Sequence, residues 1–197
     1  MPFLQTPISG LLVFEPKVIE DRRGYFFESF NRKTFQAEGI DINFVQDNQS
    51  SSNYGVIRGL HYQLNPYAQV KLIRVLSGRI LDVAVDIRKG SPTFGKNFSI
   101  ELSAENKKQL FIPAGFAHGF SVLSEQAEVF YKCDSFYNKE SEAGILYNDA
   151  SLYIDWKIPA GKEIISEKDK GLSLFANCRN NFIYTNENEV QNTGNRG

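Results

Sequence analysis

The chain has few of the residues that usually announce chemistry: two cysteines, two histidines, one tryptophan and one methionine in 197 residues. Two thiols, Cys133 and Cys178, cannot build a disulfide framework, and both are expected to be free in a reducing compartment. No apolar run approaches the roughly 18 residues that span a bilayer. The opening Met1-Pro2-Phe3-Leu4-Gln5-Thr6 has no basic start and no long apolar stretch, so it does not read as a secretory signal. The expected location is the cytoplasm, with no membrane partner. Charge of one sign is also missing: 22 basic and 23 acidic residues leave a net charge of −1. A surface given over to nucleic acid would need a basic surplus, whereas a small anionic ligand needs only a few local arginines. Gly-x-Gly-x-x-Gly, a Walker-type loop, Cys-x-x-Cys and Gly-x-Ser-x-Gly are all absent. Nicotinamide, ATP, dithiol and nucleophile-elbow enzymes therefore have no support.

What is present is aromatic and β-forming. Sixteen Phe and nine Tyr suit pleated, half-buried surfaces. Short apolar or alternating runs fall at 11–14, 25–30, 44–48, 56–63, 70–76, 80–87, 98–102, 110–113, 120–123 and 129–133. Turn residues separate them, at Ser77-Gly78, Lys89-Gly90-Ser91-Pro92 and Pro113-Ala114-Gly115. About ten strands with little helix imply an all-β jelly-roll barrel. One short helix is expected over 32–38, with Asn31 as N-cap and Gly39 just past the end. A second is expected after Ser166, where Ser166-Glu167-Lys168-Asp169 has the capping form. No linker or repeat divides residues 1–185, which read as a single domain, and the polar stretch 186–197 reads as a disordered tail.

Both histidines sit in conspicuous settings. A lone histidine in a β protein is more often a hydrogen-bonded structural residue than a catalyst. His61, however, follows Arg58 by three residues and precedes Lys71, so a short segment carries a base and two cations. On a regular strand Arg58 and His61 would face opposite ways; serving one pocket requires a bulge, and Gly59 would permit it. Pro113-Ala114-Gly115-Phe116-Ala117-His118 resembles the Pro-x-Gly-x-x-His element of cupin barrels, whose histidine often binds metal. The paired His-x-His is absent here, because Gln63 stands where its second histidine would be. Two histidines 57 positions apart make a poor metal site, and a cupin-like barrel without metal is expected. An inward lysine is costly without a role, which favours Lys71, sharing a face with Gln69 and Ile73. Phe26, Phe27, Leu60, Ile73 and Phe130 are expected in the core. Asp86 is expected on a solvated face, and Asp82 either there or facing inward beside His118.

A longer series of motifs carries a resemblance. It runs through Glu15-Pro16-Lys17-Val18, Asp21-Arg22-Arg23-Gly24-Tyr25-Phe26-Phe27-Glu28, Phe44-Val45-Gln46-Asp47-Asn48 and Arg58-Gly59-Leu60-His61-Tyr62-Gln63. Ala68-Gln69-Val70-Lys71-Leu72-Ile73-Arg74-Val75, Leu81-Asp82-Val83-Ala84-Val85-Asp86-Ile87-Arg88, Gly90-Ser91-Pro92-Thr93-Phe94-Gly95 and Leu102-Ser103-Ala104-Glu105-Asn106-Lys107 follow. Phe116-Ala117-His118-Gly119-Phe120, Tyr131-Lys132, Tyr137, Trp156 and Ser166-Glu167-Lys168-Asp169 complete it. From about Pro7 to Leu174 the chain resembles the dTDP-4-dehydrorhamnose 3,5-epimerases. The resemblance implies inversion of C3 and C5 of dTDP-4-keto-6-deoxyglucose, without a cofactor. It implies His61 as base, Asp169 as its orienting carboxylate, Lys71 as stabiliser of the charge on the C4 oxygen, and Tyr131 as acid. Arg23, Glu28, Gln46, Asp47, Asn48, Arg58, His118, Glu142 and Lys168 match the family's nucleotide-sugar contacts, and Tyr137 its thymine-stacking aromatic. It also implies a homodimer whose exchanged N-terminal strands bring Arg23 to the partner's pocket. Three other readings stand beside it: a mono-epimerase acting at C3 or C5 alone, a metal-dependent cupin such as a dioxygenase, and a non-catalytic nucleotide-sugar-binding jelly roll.

Overall fold

Most early strands of this chain mix buried and exposed residues, but Arg79–Asp86 is buried at every position after the first, and the architecture follows from that difference. The structure, a computed structural model, describes residues 2–185; the tail expected over 186–197 lies outside the described residues. The strands are β1 (Phe3–Gln5), β2 (Leu12–Phe14), β3 (Ile19–Asp21), β4 (Gly24–Phe26), β5 (Gln46–Asn53), β6 (Ile57–Gln63) and β7 (Lys71–Ser77). They continue with β8 (Arg79–Asp86), β9 (Asn97–Ser103), β10 (Gln109–Ile112), β11 (Phe116–Val122), β12 (Gln126–Cys133) and β13 (Glu142–Gly144). Two short helices, α1 (Arg32–Gln36) and α2 (Glu167–Lys170), complete the elements used below.

One sheet has the order β1-β2-β10-β7-β12-β5 and the other β13-β6-β11-β8-β9, with β3-β4 a separate hairpin. The two large sheets pack face to face as a cupin-like jelly roll. Between them lie Val13, Ile73, Val75 and Leu110 of the first sheet and Ile80, Ala84, Leu102, Phe116, Phe120 and Val122 of the second. The outer face of the second sheet is buried too. Leu60, Tyr62, Leu81, Val83 and Val85 pack there against Ile145, Leu152, Trp156 and Phe182 of the C-terminal segment. A strand covered on both faces must be apolar at almost every position, which explains Ile80-Leu81 and Val83-Ala84-Val85. On the outer face of the first sheet, α1 inserts Phe35 among Phe3, Phe14, Leu72 and Phe111.

Both helices form where expected. The Asn31 side chain accepts from the Lys33 N–H and the Ser166 side chain from the Asp169 N–H, each satisfying a donor the helix cannot. Three strands, β1, β3 and β13, escape sequence reading, because three residues are too few to show a period. Two expectations are corrected. Asp86 is not on a solvated face: it is fully buried, with its carboxylate accepting from Arg88, Ser91 and Thr93. Burial works to raise that carboxyl, but the hydrogen bonds prevail and hold it below the usual range. Phe26 is not in the core but 67% exposed, with Tyr25 and Ile19 similarly open, because β3-β4 pairs only with itself and joins neither large sheet. Phe27 and Phe130 are half-buried, while Leu60 and Ile73 are fully enclosed as expected.

Gly59 is the tightest point of β6. Its φ is +124°, and a Cβ there would lie 2.5 Å from Gly119 Cα and 2.8 Å from the His118 carbonyl oxygen. Gly59→Ala is therefore expected to cost about 3 kcal/mol or more, combining backbone strain with a backbone clash. A urea unfolding midpoint unchanged from the parent would contradict this.

Candidate active site

The close approach at Gly59 is also what builds the site. Along β6 and β11 the register pairs His61 with His118 and Arg58 with Phe120, so three steps on one strand oppose two on the other. This bulge turns Arg58 and His61, which a regular strand would part, toward one cavity of about 510 Å³. Lys71, Tyr131, His118, Lys168 and Asp169 share its wall. A smaller recess of about 180 Å³ uses His61, Lys71 and Tyr131 again and adds Gln46, Asn48, Gln69, Tyr137 and Glu142.

His61 and Asp169 are 108 residues apart in sequence, yet His61 Nε2 lies 2.8 Å from Asp169 Oδ1. The other carboxylate oxygen accepts from the Gly59 N–H at 3.3 Å, so the bulge also helps seat the aspartate. Burial works to raise the Asp169 carboxyl, but the bonds from His61, Gly59 and Ser166 outweigh it and hold the group below the usual carboxylate range. An ionised Asp169 accepts from Nε2–H, and this places the free lone pair of the imidazole on Nδ1.

Across the cavity, the six-stranded sheet supplies Lys71 and Tyr131. Lys71 is half-buried and makes no ion pair among the described residues. Burial pushes its ammonium below the usual lysine range, opposed by Cys133, Asp82 and Glu142. Burial also pushes the Tyr131 phenol up, with Arg58 pulling the other way, so the phenol keeps its proton at neutral pH. His118 lies in the same wall, its Nε2 2.7 Å from Asp82 Oδ1. Asp82 therefore faces inward beside His118, the second of the two placements considered for it.

A polar clasp closes the recess. Glu142 accepts from Lys168 Nζ at 2.6 Å and from the Tyr137 hydroxyl at 3.0 Å. The Tyr137 N–H donates to Gln46 Oε1, whose amide nitrogen donates to Asn48 Oδ1. These bonds hold Glu142 low against its burial and push the Tyr137 phenol up.

Three of the expected contacts stand apart from this cavity. Asp47 alternates outward from Gln46 and Asn48, and its carboxylate takes Lys132 Nζ at 2.9 Å. Arg23 lies on the exposed hairpin beside Asp21, and Glu28 accepts from the Asn31 side chain below it. Sequence reading missed Ser50, in the cavity wall, and Ser52, whose hydroxyl accepts from Arg58 Nε at 3.0 Å. The available signal was parity, since both fall in step with Gln46 and Asn48 along β5.

Both cysteines are free thiols, Cys133 buried and Cys178 partly so. Among the described residues no three His, Cys, Asp or Glu side chains gather as metal ligands, and no helix is long and apolar enough to cross a membrane.

Residues 5–177 match the family model of dTDP-4-dehydrorhamnose 3,5-epimerase. The chain is similar to the dTDP-4-dehydrorhamnose 3,5-epimerase of Shigella flexneri, 57% identical over 170 residues, covering 86% of this chain and 93% of that one. Among solved structures it is similar to the enzyme of that name from Elizabethkingia anophelis. Identity there is 54%, with a TM-score of 0.85 over 88% of this chain and 96% of the other. It is also similar to the dTDP-6-deoxy-D-glucose-3,5-epimerase of Legionella pneumophila Philadelphia 1, solved in complex with dTDP-4-keto-L-rhamnose. In that case identity is 49%, with a TM-score of 0.84 over 88% and 92% of the two chains. An imidazole bonded to a carboxylate, an ammonium without an ion pair among the described residues and a protonated phenol line one cavity, and this chain belongs to the dTDP-4-dehydrorhamnose 3,5-epimerase family.

Proposed function

We propose that the cavity inverts C3 and C5 of dTDP-4-dehydro-6-deoxy-D-glucose, giving dTDP-4-dehydro-L-rhamnose for dTDP-L-rhamnose synthesis. The observation that carries the reading is that His61 and Asp169 stand on one side of the cavity, with Lys71 and Tyr131 on the other. His61 Nδ1 takes the proton from the carbon beside the ketone, and the C–H electron pair passes into an enolate with its charge on the C4 oxygen. The half-buried Lys71 ammonium meets that charge, as a preorganised cation placed where an oxyanion develops. Tyr131 returns a proton from the opposite face, and the imidazolium and phenolate exchange protons with solvent to reset. Arg58, with Nε held by Ser52, keeps its terminal nitrogens for the diphosphate. Lys168 adds positive charge, His118 offers a ring nitrogen, and Tyr137, 54% exposed at the recess, offers a ring to the thymine.

The working form in this reading is a homodimer. The exposed hairpin bearing Ile19, Tyr25 and Phe26 supplies the apolar surface for exchange, and it carries Arg23 to a partner's cavity. Glu28, Asp47, Gln46 and Asn48 complete the nucleotide-sugar contacts in the assembled enzyme, which works in the cytoplasm.

The test is NMR of the dTDP-4-keto sugar in D2O. Deuterium entering at both C3 and C5, with product reducible by a dTDP-4-keto-L-rhamnose reductase, is the expected result. Exchange at one carbon would make the protein a mono-epimerase, and exchange at neither would leave a binding barrel. Tyr131→Phe separates the two half-reactions. Inversion is expected to fall by about 10²–10⁴-fold while His61 still exchanges the substrate proton. Equal loss of exchange and inversion would remove Tyr131 from the acid's role.

A further inference from the structure

Gln63 enters the sequence reading only as the place of a missing metal ligand, the second histidine of a cupin pair. In the structure it is 4% exposed, and its amide is almost fully employed. Nε2 donates to the carbonyl oxygens of Tyr67, at 2.6 Å, and Phe136, at 3.2 Å. Oε1 accepts from the Asn138 N–H at 2.6 Å. Two carbonyls at one end and an N–H at the other leave a single orientation for the amide, with both of its N–H groups in use. Little capacity remains for a ligand, so Gln63 acts through what it holds.

What it holds is the residue between two of its partners. Phe136 and Asn138 bracket Tyr137 in the connection 134–141, which forms neither strand nor helix between β12 and β13. Backbone groups outside a ladder need other partners, and connecting segments are mobile unless tied down. Here side chains supply the ties. Gln63 meets the Phe136 carbonyl and the Asn138 N–H, and Gln46 Oε1 takes the Tyr137 N–H between them at 3.0 Å. The Tyr137 hydroxyl donates to Glu142 at 3.0 Å, and Glu142 stands opposite Gln63 in the pairing of β13 with β6. The ring is 54% exposed although its backbone and its hydroxyl are both held. An apolar side chain at 63 could fill the volume, but three backbone groups would lose this partner.

Residues two apart on a strand point the same way, so Gln63 shares a face of β6 with His61, and both line the smaller recess with Tyr137. One strand therefore carries the imidazole at one step and the holder of the aromatic ring at the next.

The geometry points to Gln63 as a positioning residue, a buried amide that brackets Tyr137 and sets its ring at the recess before any ligand arrives. A ring ordered in advance costs less to immobilise on binding. The value of this to the nucleotide rests on the reading above that Tyr137 meets thymine, whereas the holding of Tyr137 does not.

The experiment follows Tyr137 directly. In protein carrying 3-fluorotyrosine, the Tyr137 fluorine resonance is identified by its loss in Tyr137→Phe and compared between the parent and Gln63→Met. Methionine keeps the length and removes all three hydrogen bonds. The resonance is expected to shift or broaden. Calorimetry should show dTDP binding about 10-fold more weakly, the worth of a stacked base, while inorganic pyrophosphate, which has no base, binds as in the parent. KM should rise with kcat nearly unchanged. In a Tyr137→Ala background, Gln63→Met should weaken dTDP no further. An unmoved Tyr137 resonance in folded Gln63→Met overturns the proposal, and so does a loss of dTDP affinity that is undiminished in Tyr137→Ala. A moved resonance with dTDP affinity unchanged in both Gln63→Met and Tyr137→Ala would uphold the positioning and sink the thymine contact instead. Should Gln63→Met not fold, Gln63→Glu, which turns an oxygen toward the two carbonyls, is measured in its place. Failure of both to fold would make Gln63 structural and overturn the proposal.

Discussion

His61→Asn lowers kcat for exchange at both C3 and C5 by about 10²–10⁴-fold, the span that a positioned general base contributes. Asparagine can keep a hydrogen bond toward Asp169 but offers no basic nitrogen, so substrate still binds while the proton stays on carbon. Both imidazoles of the cavity wall are bonded to carboxylates, His61 to Asp169 and His118 to Asp82, and the epimerase reading gives the base's role to His61 alone, so one variant silences both carbons. Isothermal calorimetry with dTDP should give an affinity within a few-fold of the parent. Exchange persisting at one carbon would mean that a different base serves it. A stability change accompanies the loss. Asp169 is held below its ordinary value of 3.8, so it stabilises the fold above that value and loses the contribution as pH falls through the depressed one. With the imidazole gone, part of that acid-side stability is expected to go too, and acid unfolding should begin at a higher pH.

Lys71→Met separates function from stability, because the two are expected to move in opposite directions. Methionine fills a similar volume without the charge. Losing a preorganised cation at a developing oxyanion costs about 10²–10³-fold in kcat, with a smaller effect on dTDP affinity. The parent meanwhile pays for a partly buried ammonium that has no ion pair among the described residues. Its lysine titrates below the ordinary 10.5, so the unfolded chain binds more protons between the depressed value and 10.5, and stability of the parent rises with pH through that window. Below the window the penalty is fully present, and there Lys71→Met should unfold at a higher temperature than the parent. A variant that is both inactive and less stable would make Lys71 a structural residue, and one that keeps its activity would remove the enolate role.

The barrel is legible in the chain because its signal is local. Alternation along β6, β7 and β12, turn residues between runs, and the capping side chains of Asn31 and Ser166 each act within a few positions. Where packing overrides local pattern, the sequence misleads. Asp86 looks like the polar half of an alternating strand, but it falls in step with Ile80 and Ala84 on the face between the sheets, and Arg88, Ser91 and Thr93 enclose the carboxylate. Phe26 looks like core, but its hairpin pairs with nothing else in the chain.

For the site the division is similar. Residue types and motif order single out His61, Lys71, Tyr131 and Asp169 as candidates, and the three-residue spacing of Arg58 and His61 calls for a bulge, which Gly59 permits, if both are to serve one pocket. Only the tertiary structure decides that Asp169 reaches His61 from 108 residues away, that Asp82 faces inward, and that Ser52 holds Arg58. It also decides that Arg23 and Asp47 stand outside this chain's own cavity. A sequence specifies which groups are available and which way each strand residue points relative to its neighbours. The distance between groups on different strands depends on register, and register is set by the whole set of packed faces at once.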